Sequence, residues 1–190
     1  TLDPVSGAVT TIVSGVSARF IAEAPGGSPT TGFCTAKTGL VCGTPAISAT
    51  GTPSATSTSG FTVSAGPARS NKSGILLYSS APIVTGVPFE GGTLCVETMG
   101  LRRAGSTNSG GTGCPGPATC DGQFDLDMNA FAQGLWVVPD CAGNPAGTPA
   151  NNPAGFLTNP GVVVSCQWWG RDSVASGSFV SDGLQYTIAP

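Results

Sequence analysis

Apolar and polar residues alternate along much of this chain at a period of two, the spacing of a strand with one face on a core. Gly60-Phe61-Thr62-Val63-Ser64-Ala65 has this alternation, and so does Phe124-Asp125-Leu126-Asp127-Met128-Asn129. Val162 to Trp168 reads as a more buried stretch, interrupted by Ser165 and Gln167. Strand-like runs at 45–50, 60–66, 73–79, 92–99, 121–129, 161–170 and 179–188 are separated by turn signals. They predict an all-β fold, an antiparallel β-sandwich of about seven or eight strands. Residues 104–119 and 140–160, rich in Gly, Pro and Asn, are expected to be loops. Only 129–136 offers a short helix, with Asn129 as the candidate N-cap.

The first residues read differently. Val9, Ile12 and Val16 are followed by Ala18, Phe20 and Ala22, so that 16–22 keeps one apolar face with Ser17 and Arg19 between. One or two strands are expected here, broken near Gly15. Pro25-Gly26-Gly27-Ser28-Pro29-Thr30 then interrupts the pattern. The chain is therefore divided into an N-terminal arm and linker, 1–32, and a sandwich domain, 33–190. No secretory leader is visible from Thr1, so the sequence is expected to start after a cleavage site or inside a larger protein.

Composition narrows the reading. Of 190 residues, 29 are Gly and 16 Pro, and only 9% are charged. Long amphipathic helices need charged faces, which this chain lacks. Its 39% hydrophobic content opposes disorder. No run of 18 apolar residues offers a membrane span. The seven basic residues are scattered and the net charge is −3. No stripe can neutralise a row of phosphates, so nucleic acid is not an expected partner. Low charge with abundant Ser and Thr fits an exported protein.

Seven cysteines change the picture more. There is no C-x-x-C and no histidine, so zinc spacing is missing and disulfides are the better reading. Spacing does not fix the connectivity. One set pairs Cys34 with Cys42, Cys95 with Cys166 and Cys120 with Cys141, leaving Cys114 as a spare thiol.

Candidate chemistry is sparse. The absent histidine removes Ser–His–Asp and Cys–His sites and the commonest general base. Gly111-Thr112-Gly113-Cys114-Pro115-Gly116 fits a dinucleotide fingerprint in letters, but no strand precedes it. Asp125 and Asp127, with Asn129 next, share one strand face. They could hold calcium or serve as a glycosidase pair. The plainer reading puts Leu126 and Met128 in the core and the acids in water. Trp168 and Trp169 point to opposite faces of one strand, so one is free to stack on a sugar ring. No cofactor is expected beyond that calcium.

Several stretches resemble a family of uncharacterised secreted bacterial domains. They are Phe33-Cys34-Thr35-Ala36-Lys37-Thr38, Ile47 to Ala55, Ser73 to Tyr78, Gly92-Thr93-Leu94-Cys95, Leu101-Arg102-Arg103, Trp168 to Ser173 and Ser181-Asp182-Gly183-Leu184. The resemblance covers about 33–190. It implies a β-sandwich at the C-terminal end of large extracellular or surface proteins and supplies no activity. The family commonly carries a cysteine where Asn71 stands, and the arm lies outside the resemblance.

These readings converge on an extracellular or cell-surface protein that holds or builds rather than converts. The leading expectation is a filament subunit whose arm (Val9, Ile12, Val16, Ala18, Phe20 and Ala22) adds as a donor strand to a neighbouring sandwich, giving a homopolymer. The alternative is a module that binds cell-surface polysaccharide through Trp168 or Trp169. Enzymatic activity is not expected.

Overall fold

The structure is a computed structural model that describes residues 30–113, 116, 118–146, 152–172 and 177–190. The arm residues Val9, Ile12, Val16, Ala18, Phe20 and Ala22, and Cys114, lie outside the described residues. Among those described the fold is all-β and antiparallel. The strands are β1 (Thr31–Phe33), β2 (Ala46–Gly51), β3 (Phe61–Ala68), β4 (Ser73–Ser79), β5 (Val87–Phe89), β6 (Gly92–Leu94), β7 (Arg102–Arg103), β8 (Thr107–Asn108), β9 (Gly122–Asp127), β10 (Val163–Arg171) and β11 (Ser178–Thr187). One short α-helix, α1 (Met128–Ala132), follows β9, and a single 3-10 turn spans Gly155–Thr158.

Six strands form the main sheet in the order β1-β11-β10-β4-β7, with β8 also on β4. The order β2-β3-β9 makes the second sheet. Their facing sides form the principal core. Leu76 and Tyr78 of β4, Val164, Cys166 and Trp168 of β10, and Leu184 and Tyr186 of β11 meet Ile47, Phe61, Val63, Phe124 and Leu126. The period-two pattern thus does what the sequence predicts, burying every second residue from Phe61 to Ala65 in β3 and throughout β9, with a register shift after Ala65.

Phe124 of β9 packs across onto the main sheet. Its ring stacks on Trp168 with centroids 5.6 Å apart and meets Phe179 edge-on at 5.2 Å. Beneath it lies the cross-strand pair Gly74 and Gly170. A Cβ at Gly74 would stand 2.4 Å from the Phe124 ring, and one at Gly170 2.7 Å. These glycines create the slot that the aromatic fills.

A third layer covers the other side of the main sheet. The β5–β6 hairpin and the segment after it pack Leu94, Cys95 and Val96 against Phe33 and Leu77, with Ile75, Phe89, Leu101 and Trp169 around them. The run 92–99 is therefore only in part a strand. β6 ends at Leu94 because the chain then turns to lie over the sheet, where Cys95 donates its N–H to the side chain of Gln167.

Three expectations are corrected. The helix begins at Met128, and Asp127 is its N-cap, accepting from Ala130 N at 3.0 Å. Asn129 is inside the helix, 3% exposed, and does not continue the Asp125–Asp127 strand face. The cysteine pairing also differs: Cys34 is bonded to Cys95 and Cys42 to Cys120, while Cys166 is a free, buried thiol. The reason is the strand period. Cys166 points with Val164 and Trp168 into the core, whereas Cys95 packs on the opposite face, beside Gln167. Cys141 is disulfide-bonded as well, not to Cys120, and its partner is outside the described residues. Disulfides of this kind belong to an oxidising environment. No helix among the described residues is long and apolar enough to cross a membrane.

Three outcomes follow. Gly74→Ala should lower the stability to unfolding by about 1–3 kcal/mol through overpacking. In a Phe124→Leu background the same change should cost clearly less, which urea titrations of the four proteins read as a coupling. Burial pushes the Cys166 thiol far up, so it should resist iodoacetamide in the native protein and react once the chain is unfolded without reductant. Non-reducing peptide maps should join Cys34 to Cys95 and Cys42 to Cys120.

Candidate functional site

The unbroken apolar run Ile75-Leu76-Leu77-Tyr78 has consequences on both faces of β4. Leu76 and Tyr78 turn to the principal core, while Ile75 and Leu77 turn to the outer layer. β10 is divided in the same way. Trp168 is fully buried against Phe124, which removes it as a stacking platform for a sugar. Trp169 is partly buried on the outer face. It lines a cleft of about 230 Å³ with Ile75, Leu77, Phe89, Leu94 and Leu101, and with Glu90 and Arg103.

The walls of this cleft are fixed. Gln167, with no exposed surface, accepts from Cys95 N at 3.1 Å and donates Nε2–H to the carbonyls of Thr93 and Ser181, both at 2.7 Å. The Cys34–Cys95 bond adds a covalent tie next to it. Lys37 is buried to 7% exposure and donates to the Glu90 carbonyl at 2.7 Å and to Ser178 Oγ at 3.3 Å. The hairpin carrying Phe89, Glu90 and Leu94 is thus held to both β10 and β11. Trp169 Nε1 is buried and has no hydrogen-bond partner. Trp168 Nε1 lacks one as well, but it is enclosed in the core.

A second hollow, about 300 Å³, lies at the end of β9 and is lined by Asn108, Asp121, Gln123, Asp125 and Asp140 among others. Its carboxylates are engaged by the chain itself. Thr112 donates both N–H and Oγ–H to Asp121 Oδ2, at 2.9 and 2.6 Å, and Thr119 Oγ1 donates to Oδ1. These bonds hold the Asp121 carboxyl down at about 2. Asp140 accepts from the N–H groups of Ala142 and Asn144, and bonds from Asn144 hold its pKa below the usual carboxylate range. The hollow is a set of braced turns.

The same holds for the three residues weighed for calcium. Asp125 Oδ1 accepts from Gln123 Nε2 at 2.8 Å. Asp127 uses Oδ1 on the helix cap and Oδ2 on Gly60 N at 2.7 Å. Asn129 accepts from Ser54 N and donates to the carbonyls of Thr52 and Ser59, tying the 52–59 loop to α1. Their oxygens hold the chain together and do not converge on one point. No group of three or more metal-ligating side chains gathers among the described residues.

Reading the sequence did not reach the cleft. Trp169 was visible, but Phe89, Leu94, Leu101 and Arg103 come from short strands and loops with little periodicity. The signal available was the run Ile75–Tyr78: four apolar residues in succession mean a strand covered on both faces, and hence a layer outside the sandwich.

Compared with protein-family models, with curated proteins and with solved structures, the chain finds no match.

Asp121 provides a pH signature. Its folded pKa lies below the unfolded value of about 3.9, so its contribution to stability is complete above that value and is lost as the pH falls through about 2. Carboxyl NMR should give Asp121 a midpoint near 2, and replacing Thr112 and Thr119 by Val should move that midpoint upward.

Proposed function

We propose that this chain is an extracellular structural module that assembles head to tail, its N-terminal arm adding to the sandwich of a neighbour. The observation that carries this reading is the position of β1. It is an edge strand of the six-stranded sheet, only three residues long, paired from Thr31 with Gln185 to Phe33 with Gly183. The arm is joined to it through Thr30. In sequence, the arm with its period-two apolar face and then the Pro25–Thr30 linker precede this edge strand.

The rest of the molecule suits a load-bearing part. The sandwich is closed at both sides of its smaller sheet: Ile47 N donates to Asp182 Oδ1 at 2.7 Å, and Gln123 N to the Ser109 carbonyl at 2.7 Å. Each bond partly covers an edge strand of the smaller sheet, an edge that would otherwise invite indiscriminate pairing. The disulfides support an exported protein, since they brace a Gly-rich chain where thiols are oxidised.

A polysaccharide-binding reading rests on Trp169 alone now that Trp168 is in the core. The cleft around it has six apolar residues and only two charged ones, few partners for the hydroxyls of a sugar. Assembly is the better reading.

Size-exclusion chromatography with light scattering, and electron microscopy, should show the 190-residue chain as concentration-dependent oligomers or filaments and the variant lacking residues 1–24 as a monomer. Monomers in both samples overturn the proposal.

A further inference from the structure

The Trp169 cleft joins an apolar floor to two opposite charges. Trp169 is paired in register with Ile75, and Arg103 with Leu77. Ile75 and Leu77 are two apart on β4, so all four side chains share the outer face of the main sheet. Three of them make an apolar floor, and Arg103 stands beside it on the edge strand β7. The β5–β6 hairpin continues the lining with Phe89 and Leu94 and adds Glu90, the one acid of the cleft. The main chain sets both charges in place. Glu90 and Gly91 form the two-residue hairpin turn, with φ of 50° and 76°. Such a turn favours Asn, Asp or Gly at its first position, and here a longer acid occupies it. The Glu90 carbonyl is held by Lys37 Nζ at 2.7 Å and Ser178 Oγ at 3.1 Å. Next to Arg103, Ala104 N donates to the Leu76 carbonyl at 2.9 Å. Both charged side chains are exposed. They line one cleft but form no ion pair with each other, and neither charged group has another partner among the described residues.

We infer that this cleft binds a free amino acid with an apolar side chain. Its carboxylate pairs with Arg103, its ammonium group pairs with Glu90, and its side chain lies on Ile75, Leu77 and Trp169. The inference is independent of the assembly reading, since it uses one molecule only. Charge complementarity selects this occupant. An apolar acid answers Arg103 but sets a second anion beside Glu90. An apolar amine answers Glu90 but sets a second cation beside Arg103. A zwitterion satisfies both at once, through bonds between charged groups, the stronger class of hydrogen bond. A neutral sugar answers neither charge and finds few partners on the apolar floor. Size agrees: at about 230 Å³ the cleft is smaller than the pockets of about 300–1,000 Å³ that enclose drug-sized ligands. The rings of Trp169 and Phe89 favour an aromatic or large aliphatic side chain.

The test titrates the 190-residue chain with L-phenylalanine and with two analogues that each keep one charge. Phenylpropionate lacks the ammonium group, and phenethylamine lacks the carboxylate. Saturation-transfer NMR reads the three affinities. The amino acid should bind more tightly than either analogue by roughly tenfold or more, the worth of one hydrogen bond to a charged group. Two variants then separate the charges. Arg103→Gln should weaken L-phenylalanine by a similar factor without weakening phenethylamine. Glu90→Gln should weaken L-phenylalanine without weakening phenylpropionate. In each variant, retained binding of the analogue shows that the cleft is still formed. Equal affinities for the three probes overturn the inference, because the cleft is then an apolar hollow that does not read charge. Binding that neither substitution alters places the ligand elsewhere and overturns it too, as does no binding at all. If L-phenylalanine binds the variant lacking residues 1–24 and not the full chain, the arm occupies the cleft and the inference fails.

Discussion

Everything in this fold is arranged around a strand that has no free face. β10 carries Trp168 into the principal core and Gln167 into the layer outside it, both without exposed surface. A buried glutamine is costly unless its amide is satisfied. Here the carbonyl takes the Cys95 N–H and the amide nitrogen reaches Thr93 and Ser181. Those three bonds can form only when the hairpin, β10 and β11 are all in register. The pairing of β10 with β11 slips between Gln167 and Trp169, and there Ser181 Oγ accepts the Trp168 N–H at 3.0 Å. The outer layer is thus specified by polar groups as much as by apolar contact, and without it Ile75, Leu77 and Trp169 would form an apolar patch in water.

The composition is consistent with this design. A Gly-rich chain has a large unfolded-state entropy to overcome. The fold recovers stability in two ways. Certain glycines permit close approach, as Gly74 and Gly170 do under Phe124 and Gly183 does under Phe33. Two cross-links span 61 and 78 residues of sequence, long loops whose closure restricts the unfolded chain most. Scarce charges are used internally. Asp127, Asp121, Asp140 and Asp182 each accept backbone N–H groups, and Lys37 holds the hairpin, so several charges serve as braces for loops that have no regular structure.

Strand alternation made the sandwich legible. The runs 60–66 and 121–129 each keep one face apolar, and β3 and β9 bury that face as expected. The exceptions have physical causes. Asp127 caps a helix, so the alternation stops there and Asn129 is buried as a hub for the 52–59 loop. β1, β5, β7 and β8 are two or three residues long, too short for periodicity to register. Cysteine pairing depends on which face of a strand each thiol occupies. That face could be read for Cys166 but not for Cys95, which follows a three-residue strand. The cleft was illegible for a related reason: its lining is contributed by β4, β5, β6, β7, β10 and intervening turns, and only the four apolar residues Ile75–Tyr78 announced that something lay above them.

The Cys34–Cys95 bond closes the outer layer onto the edge of the main sheet. Cys34 is the residue after β1 and Cys95 is the residue after β6, so the bond ties the edge strand to the hairpin layer that lies over the sheet. Gln167 ties the same layer to β10, which is paired on one side with β11 and on the other with β4. The three-residue β1 is therefore held in two ways, by its main-chain bonds to β11 and by a covalent bond to the layer above it. A short edge strand and a short hairpin, neither of which has much periodicity or buried area of its own, each gain their place from the other through that bond.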